Sequence, residues 1–305
     1  RGNRKVREFR YVGDIDASGY TAPDMTILAE HITEGGITEF AYQQEPDSVV
    51  WALRSDGVLL GMTYRREEQV VAWHKHTIGG AFGSGSAIVE SIATLPTDTG
   101  EDELYMIVKR TINSQTKRYV EKLHVFDFGT AATGSFFVDS GLSYSGSAVT
   151  SLGGIYHLEG ATVSILGNGG SHADKSVSSG AVSLDISATT AAIGLGYTSN
   201  LQTLRLESGS VDGTSQGKPK RIHHITLRLF RTVGLEVGSS SDDVDRVPFR
   251  DSSMAMDQAV SLFTGDKDIE FSGGFEEDER IFVRQSQPLP LTVLALYARM
   301  NTFDI

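Results

Sequence analysis

From residue 49 onward the chain is cut into short β-branched and aromatic runs by tight-turn residues, and this limits it to an antiparallel, strand-rich fold. Residues 49–53 lead into Ser55-Asp56-Gly57, a two-residue-turn signal, and the chain returns through 58–64. Runs at 70–77, 87–94, 103–111 and 117–125 continue the series at short spacing, which predicts a meander of hairpins of the kind that builds propeller blades. One segment departs from this pattern. In 21–32, Met25, Leu28, Ala29 and Ile32 recur at helical spacing, Thr21 and Asp24 have capping-box-like spacing, Pro23 suits a first turn, and Gly35-Gly36 ends the run. The spacing predicts one short helix there.

Composition changes near Phe126. Residues 129–217 are rich in Gly, Ser, Thr and Ala and poor in charge, with strand-like runs at 156–166, 181–186 and 201–206. Gly167-Asn168-Gly169-Gly170 is a hairpin turn signal within them. This stretch reads as a β-sandwich-like module. From Lys218 the alternation sharpens again: Ile225, Leu227 and Leu229 point one way, and His224, Thr226, Arg228 and Phe230 the other. The expected organisation is therefore all-β: a partial-propeller-like meander with the helix over 1–128, the module over 129–217, and a C-terminal β part over 218–305 packing back on the first.

The charge excludes some roles. Twenty-seven basic against 39 acidic residues give −12, the wrong sign for a protein that coats nucleic acid. The absence of Cys removes disulfide frameworks, cysteine zinc sites, iron–sulfur clusters and thiol catalysis. No apolar run reaches the ~18–20 residues of a membrane-spanning helix. The chain starts on Arg1, and no apolar segment follows its basic opening, so it reads as a piece of a longer polypeptide without a signal peptide.

Candidate chemistry is sparse. His74 and His76 share a strand face and would bind zinc or copper if a third ligand arrived; a hydrogen-bonded strand face is the default. His223 and His224 face opposite ways. Asp242, Asp243 and Asp245 offer oxygens but lack the EF-hand pattern, so they read as an exposed acidic loop. Glu276, Glu277, Asp278 and Glu279 read as a solvated hairpin tip. Nucleophile-elbow, P-loop, zinc-protease and dinucleotide fingerprints do not occur, and neither a cofactor nor a metal is expected. The one local exception to the acidity is Lys218, Lys220, Arg221, Arg228 and Arg231, five cations in an acid-free run of 14 residues. In an anionic molecule a subunit contact is preferred to a phosphate-binding ribbon. The acidic residues Asp242, Asp243, Asp245, Glu276, Glu277 and Glu279 are its candidate partners on a neighbouring copy.

A further signal lies in Trp51, Asp56-Gly57, Leu59, Thr63-Tyr64, Val70, Ala72-Trp73 and His76, preceded by Pro23-Asp24-Met25 and followed by Tyr156-His157-Leu158-Glu159-Gly160, Phe263-Thr264-Gly265-Asp266 and Gln287-Pro288-Leu289-Pro290. In this order they resemble the later part of the nozzle, or tail tubular protein B, family of short-tailed phages and related prophage proteins. The resemblance implies a structural, non-enzymatic virion component, made in the bacterial host cytoplasm and located in the tail. It implies a cyclic homo-oligomer, a hexamer, that contacts the portal-adaptor and the tail-fibre or needle proteins and passes DNA without holding it during ejection. An acidic wall suits that task because it repels phosphates. Two other classes remain open from the residues themselves. One is a carbohydrate-binding or glycan-degrading phage adhesin with Trp51, Trp73 and Tyr64 as its platform, although their alternation with Val and Leu favours core packing. The other is a metal-dependent hydrolase using His74 and His76.

Overall fold

A computed structural model describes residues 2–13, 19–207, 214–256 and 258–303. Among them the regular structure is strand throughout, apart from single 3-10 turns at Ala132–Gly134 and Tyr156–Leu158. Among the described residues the sheets are antiparallel and open, and no closed propeller is seen. The chain divides into two compact units, Arg1–His124 and Val125–Ile305.

In the first unit, Ile37–Gln43, Val49–Arg54, Leu59–Arg65 and Val70–His76 pair in chain order as a four-stranded meander. Ile88–Pro96, Asp102–Ile112 and Gln115–Lys122 form a three-stranded one, also in chain order. The turn at 55–57 closes as its residues require. The Arg54 guanidinium grips Asp56 through Nε (2.8 Å) and Nη2 (2.6 Å), and Gly57 adopts φ +84°. A Cβ there would lie 2.2 Å from Ile88 Cγ2, so only glycine fits. The two sheets share one core, in which Trp51, Leu53 and Leu59 meet Val89, Leu104, Met106 and Val108. Polar clamps hold the same sheets: the Glu39 carboxylate accepts from Ile92 N–H (2.9 Å), and Asp102 Oδ2 accepts from Gln44 N–H (2.7 Å). Arg110 is fully buried, yet it donates from Nη2 to Glu121 Oε2 (2.9 Å) and from Nε to Gly79 O (2.7 Å).

The expected helix over 21–32 is not there; the segment is a chain of turns. In a helix the Ala29 N–H would bond Met25 O. Instead Ala29 N–H donates to Thr26 O (2.9 Å), while Met25 O accepts from the Trp73 indole N–H (2.8 Å). Met25 N–H is likewise taken, by Val6 O. Asp24, not Thr21, is the capping side chain, accepting from Thr26 N–H (2.9 Å) and Thr26 Oγ1 (2.6 Å). Those bonds, with the Lys5 ammonium, hold the Asp24 carboxyl well below its usual range. Leu28 is 92% exposed, while Ala29 is buried and Ile32 packs against the Ile37, Ala52 and Leu60 cluster, so the stripe is split between solvent and core. A segment this short is marginal as a helix in isolation, and tertiary partners won its hydrogen-bonding groups.

In the second unit, Asp139–Gly153, Ala181–Leu195, Thr162–Gly167 and Gly170–Ser171 lie side by side in one sheet, and Lys175–Ser176 pairs with Thr162–Gly167. The Asn168-Gly169 turn forms as expected, with φ of +50° and +81° in a two-residue hairpin. A four-stranded sheet runs Ser199–Gln202, Phe282–Gln285, Glu236–Gly238, Val244–Arg246, and a three-stranded sheet runs Phe263–Glu270, Lys220–Thr232, Val293–Thr302. These two share a core of Ile222, Ile225, Leu227 and Leu229 with Val237, Val247, Ile281 and Val283. Ser199–Gln202 belongs to the Gly/Ser-rich stretch by composition but pairs with Phe282–Gln285, so residues 129–217 and 218–305 are stitched together within one unit.

Candidate functional site

The basic run occupies the central strand of the three-stranded sheet, Lys220–Thr232. Its alternation sends Ile225, Leu227 and Leu229 into the core and leaves Thr226, Arg228 and Phe230 on the other face. On that face the neighbouring strand Phe263–Glu270 places Asp266 opposite Arg228 and Asp268 opposite Thr226. Arg228 grips Asp266 in bidentate fashion, Nε to Oδ1 at 2.8 Å and Nη2 to Oδ2 at 2.9 Å, and lies 5.6 Å from the Tyr297 ring centroid. This pairing raises the guanidinium pKa further above its ordinary value and lowers that of the Asp266 carboxyl. Asp268 accepts from Thr226 Oγ1 (2.6 Å) and lies 3.3 Å from His224 Nε2. The face is thus a ladder of opposite charges drawn from one chain.

The other cations are also engaged. Arg221 Nε donates to Gly273 O (3.1 Å), with the guanidinium 5.9 Å from the Phe275 ring. Arg231 takes φ +44° and reaches Gly129 O (2.8 Å), with Asp127 at 3.6 Å. Lys218 is half-buried in the turn where its N–H meets Ser215 O. Lys220 is fully buried, and its ammonium donates to Leu206 O (3.0 Å).

The acidic candidates are dispersed. Asp242 and Asp243 lie in the tight loop that joins Glu236–Gly238 to Val244–Arg246, and Asp245 lies on the second of these strands. Asp243 Oδ2 accepts from Ser239 Oγ (2.9 Å), and Asp242 Oδ1 from Ser241 Oγ (3.4 Å). A Cβ on Gly238 would come 1.7 Å from Asp243 O, so this hairpin requires glycine at that point. Glu276 pairs its backbone with Lys220 in both directions at 2.9 Å, Glu277 is exposed, and Asp278 meets Arg205 (2.8 Å). Glu279 departs from the expected solvated tip. It is 3% exposed with one carboxylate oxygen unpartnered, and burial pushes its pKa up. Lys220 and Glu279 therefore leave the set of subunit-contact residues, since a side chain already inside its own unit has no surface to offer. The basic strand and the 276–279 loop are neighbours within one chain, through the Lys220–Glu276 bridge.

His74 and His76 do lie on one strand face, as their spacing predicts. They are hydrogen-bonded to each other, Nδ1 to Nε2 at 2.9 Å, with both rings against Trp51. Burial lowers the pKa of both, that of His76 to about 4, where the neighbouring His74 adds to the effect. Among the described residues no group of three or more His, Cys, Asp or Glu is arranged to hold a metal ion. The residues of the alternative sugar platform are engaged in packing and hydrogen bonds. Trp51 is 4% exposed and donates its indole N–H to Gln43 Oε1 (2.9 Å), Trp73 is tied to Met25 O, and Tyr64 is half-buried. Exposed aromatics lie elsewhere, among them Phe9 and Tyr20, which stack with ring centroids 4.9 Å apart.

The acidic partners that matter most to the basic strand, Asp266 and Asp268, were not singled out from the sequence. Their signal is the alternation in Phe263-Thr264-Gly265-Asp266-Lys267-Asp268-Ile269-Glu270, which puts three acids on one face. Only strand pairing shows that Asp266 faces Arg228 and Asp268 faces Thr226. No protein-family model matches this chain, and no curated protein matches it. Among the described residues no helix is long and apolar enough to cross a membrane.

Proposed function

We propose that this chain is a structural subunit of a phage tail, a nozzle or tail-tube component that assembles with copies of itself into a ring through which DNA leaves. The observation that carries the reading is the bidentate Arg228–Asp266 pair. It neutralises, within one chain, the centre of the acid-free basic run at 218–231 in a molecule of charge −12. Once the cations at 221, 228 and 231 are engaged locally, phosphate contacts would have to displace existing bonds, and the remaining surface repels a polyanion. A conduit needs such a wall, because duplex must move along it without adhering. The ordered residues that resemble the nozzle family, and an all-β architecture with long open sheets, support the same reading. In it, the subunit meets the portal-adaptor on one side and fibre or needle proteins on the other, in the virion tail.

Electron microscopy of the purified chain over a range of concentrations is the direct test. Closed rings support the reading, and persistent monomers at high concentration overturn it. Arg228→Glu with Arg231→Glu probes whether the ladder face takes part in ring closure, and an unchanged oligomer by light scattering removes it from the interface. Gel-shift with a short duplex gives the second readout. No retention at low salt is expected, and tight binding at physiological salt would contradict the proposal.

A further inference from the structure

The two sheets of the second unit that share the Ile222–Val283 core also open toward each other along one side. There the edge strand of one, Val244–Arg246, and the edge strand of the other, Phe263–Glu270, each pair on a single flank among the described residues. Between them lies a cleft of about 320 Å³. An unpaired edge presents a row of N–H and C=O groups that require partners, and two edges on one cleft present two such rows.

The lining is acidic. Its charged lining residues are Asp243, Asp245, Asp268 and Glu270 on the acidic side and Arg246 and Lys267 on the basic side. Lys267 is drawn toward the rings of Phe249 and Phe263, 5.4 and 5.7 Å from their centroids. Asp245 on one edge and Glu270 on the other make no ion pair among the described residues, whereas Asp268 is hydrogen-bonded to Thr226. The cleft therefore combines backbone edges with uncompensated carboxylates on both sides.

We propose that this cleft accepts an extended, basic segment of a partner polypeptide by strand addition, with main-chain pairing to Phe263–Glu270 and Lys or Arg side chains directed at Glu270 and Asp245. Cross-strand neighbours stand about 4.5–5.5 Å apart at Cβ, so cations at alternate positions of the incoming strand fall within reach of these carboxylates. The same hairpin that supplies Asp245 depends on Gly238, which keeps the Val244–Arg246 edge close against Glu236–Gly238. This inference does not depend on the tail-subunit reading, and its test is separate from ring formation.

The test uses an octapeptide of alternating Val and Lys, its Val–Glu counterpart, and the Val–Lys peptide N-methylated at alternate backbone nitrogens. Binding to the whole chain is followed by fluorescence anisotropy and by amide hydrogen exchange. The Val–Lys peptide is expected to bind and to slow exchange in 263–270 and 244–246, while the Val–Glu peptide does not bind. N-methylation is expected to abolish binding, because it removes the pairing donors while the charges stay. Asp245→Lys with Glu270→Lys is expected to weaken binding by about tenfold. Equal binding of the methylated peptide, or protection confined to other strands, overturns the proposal. So does an absence of binding. If the double variant fails to fold, the exchange footprint on the unaltered chain decides.

Discussion

The two units reach an all-β core by different routes. In the first, both sheets are meanders whose strands pair with their immediate predecessors, so each hairpin forms from local chain and only the face-to-face packing of Trp51 and Leu59 on Leu104 and Val108 is long-range. In the second, Ser199–Gln202 waits for Phe282–Gln285, and Lys220–Thr232 is flanked by strands that begin at Phe263 and Val293. The units also bury charge differently. Arg110 enters the first core with its carboxylate partner and a carbonyl, whereas in the second Lys220 is held by a carbonyl and Glu279 keeps an oxygen without a partner. The lesson is that a locally paired sheet allows a buried ion to bring its counter-ion on the next strand, as Glu121 follows Arg110. A sheet assembled from distant segments satisfies its buried ions with whatever backbone the late strands deliver.

Four measurements sharpen or break this contrast. The largest effect is expected for Arg110→Ala, which leaves the mostly buried Glu121 uncompensated and should destabilise the first unit by about 3–5 kcal/mol in urea unfolding. A loss no larger than that of an exposed pair would show that Arg110 is not the tie described. Next comes acid sensitivity of the same unit. His76 has its folded pKa lowered to about 4, below the 6.5 of the free side chain, so the unfolded state binds more protons below pH 6.5. Stability should fall as pH drops from 6.5 toward 4, by roughly 3 kcal/mol. His76→Gln should flatten that part of the pH profile, and an identical slope in the variant would dismiss the histidine pair as its source.

A smaller effect of opposite sign is expected in the second unit. Glu279 has its folded pKa raised by burial, so it lowers stability once pH rises past the free carboxyl range. Glu279→Gln should stabilise the protein at neutral pH by up to about 1 kcal/mol and leave it unchanged near pH 4; melting temperatures at the two pH values decide. The smallest change belongs to Arg228→Ala. Both partners of the Arg228–Asp266 pair are about half exposed, so little change in melting temperature is expected, and less still in salt. The pair's importance under the proposed function is to charge at the surface: Asp266→Asn, which leaves the Arg228 guanidinium unpaired, is the change that should raise duplex retention.

How much was legible follows the same division. Turn chemistry is local, so Ser55-Asp56-Gly57 and Asn168-Gly169 announce their hairpins, and the shared face of His74 and His76 follows from period two alone. The run 21–32 carried a helical signal as local as these, but Val6 and Trp73 claim the backbone groups a helix would use, and neither is visible from inside the segment. At the candidate interface, the run of five cations was plain in the sequence, while the intrachain partner of Arg228 was not. Glu279 looked solvated beside three other acids, and Asp266, noted only within the Phe263–Asp266 motif, meets Arg228 through a strand pairing across 38 residues.

By itself the sequence determined the strand-and-turn character of the chain, its negative charge, and the positions of its tightest hairpins, because each depends on side chains a few residues apart. The tertiary structure alone decided which strands become edges, which charges are neutralised in place, and which acids go under the surface. Those outcomes depend on pairings between distant segments, where register sets the neighbour of every side chain and no local pattern specifies the register.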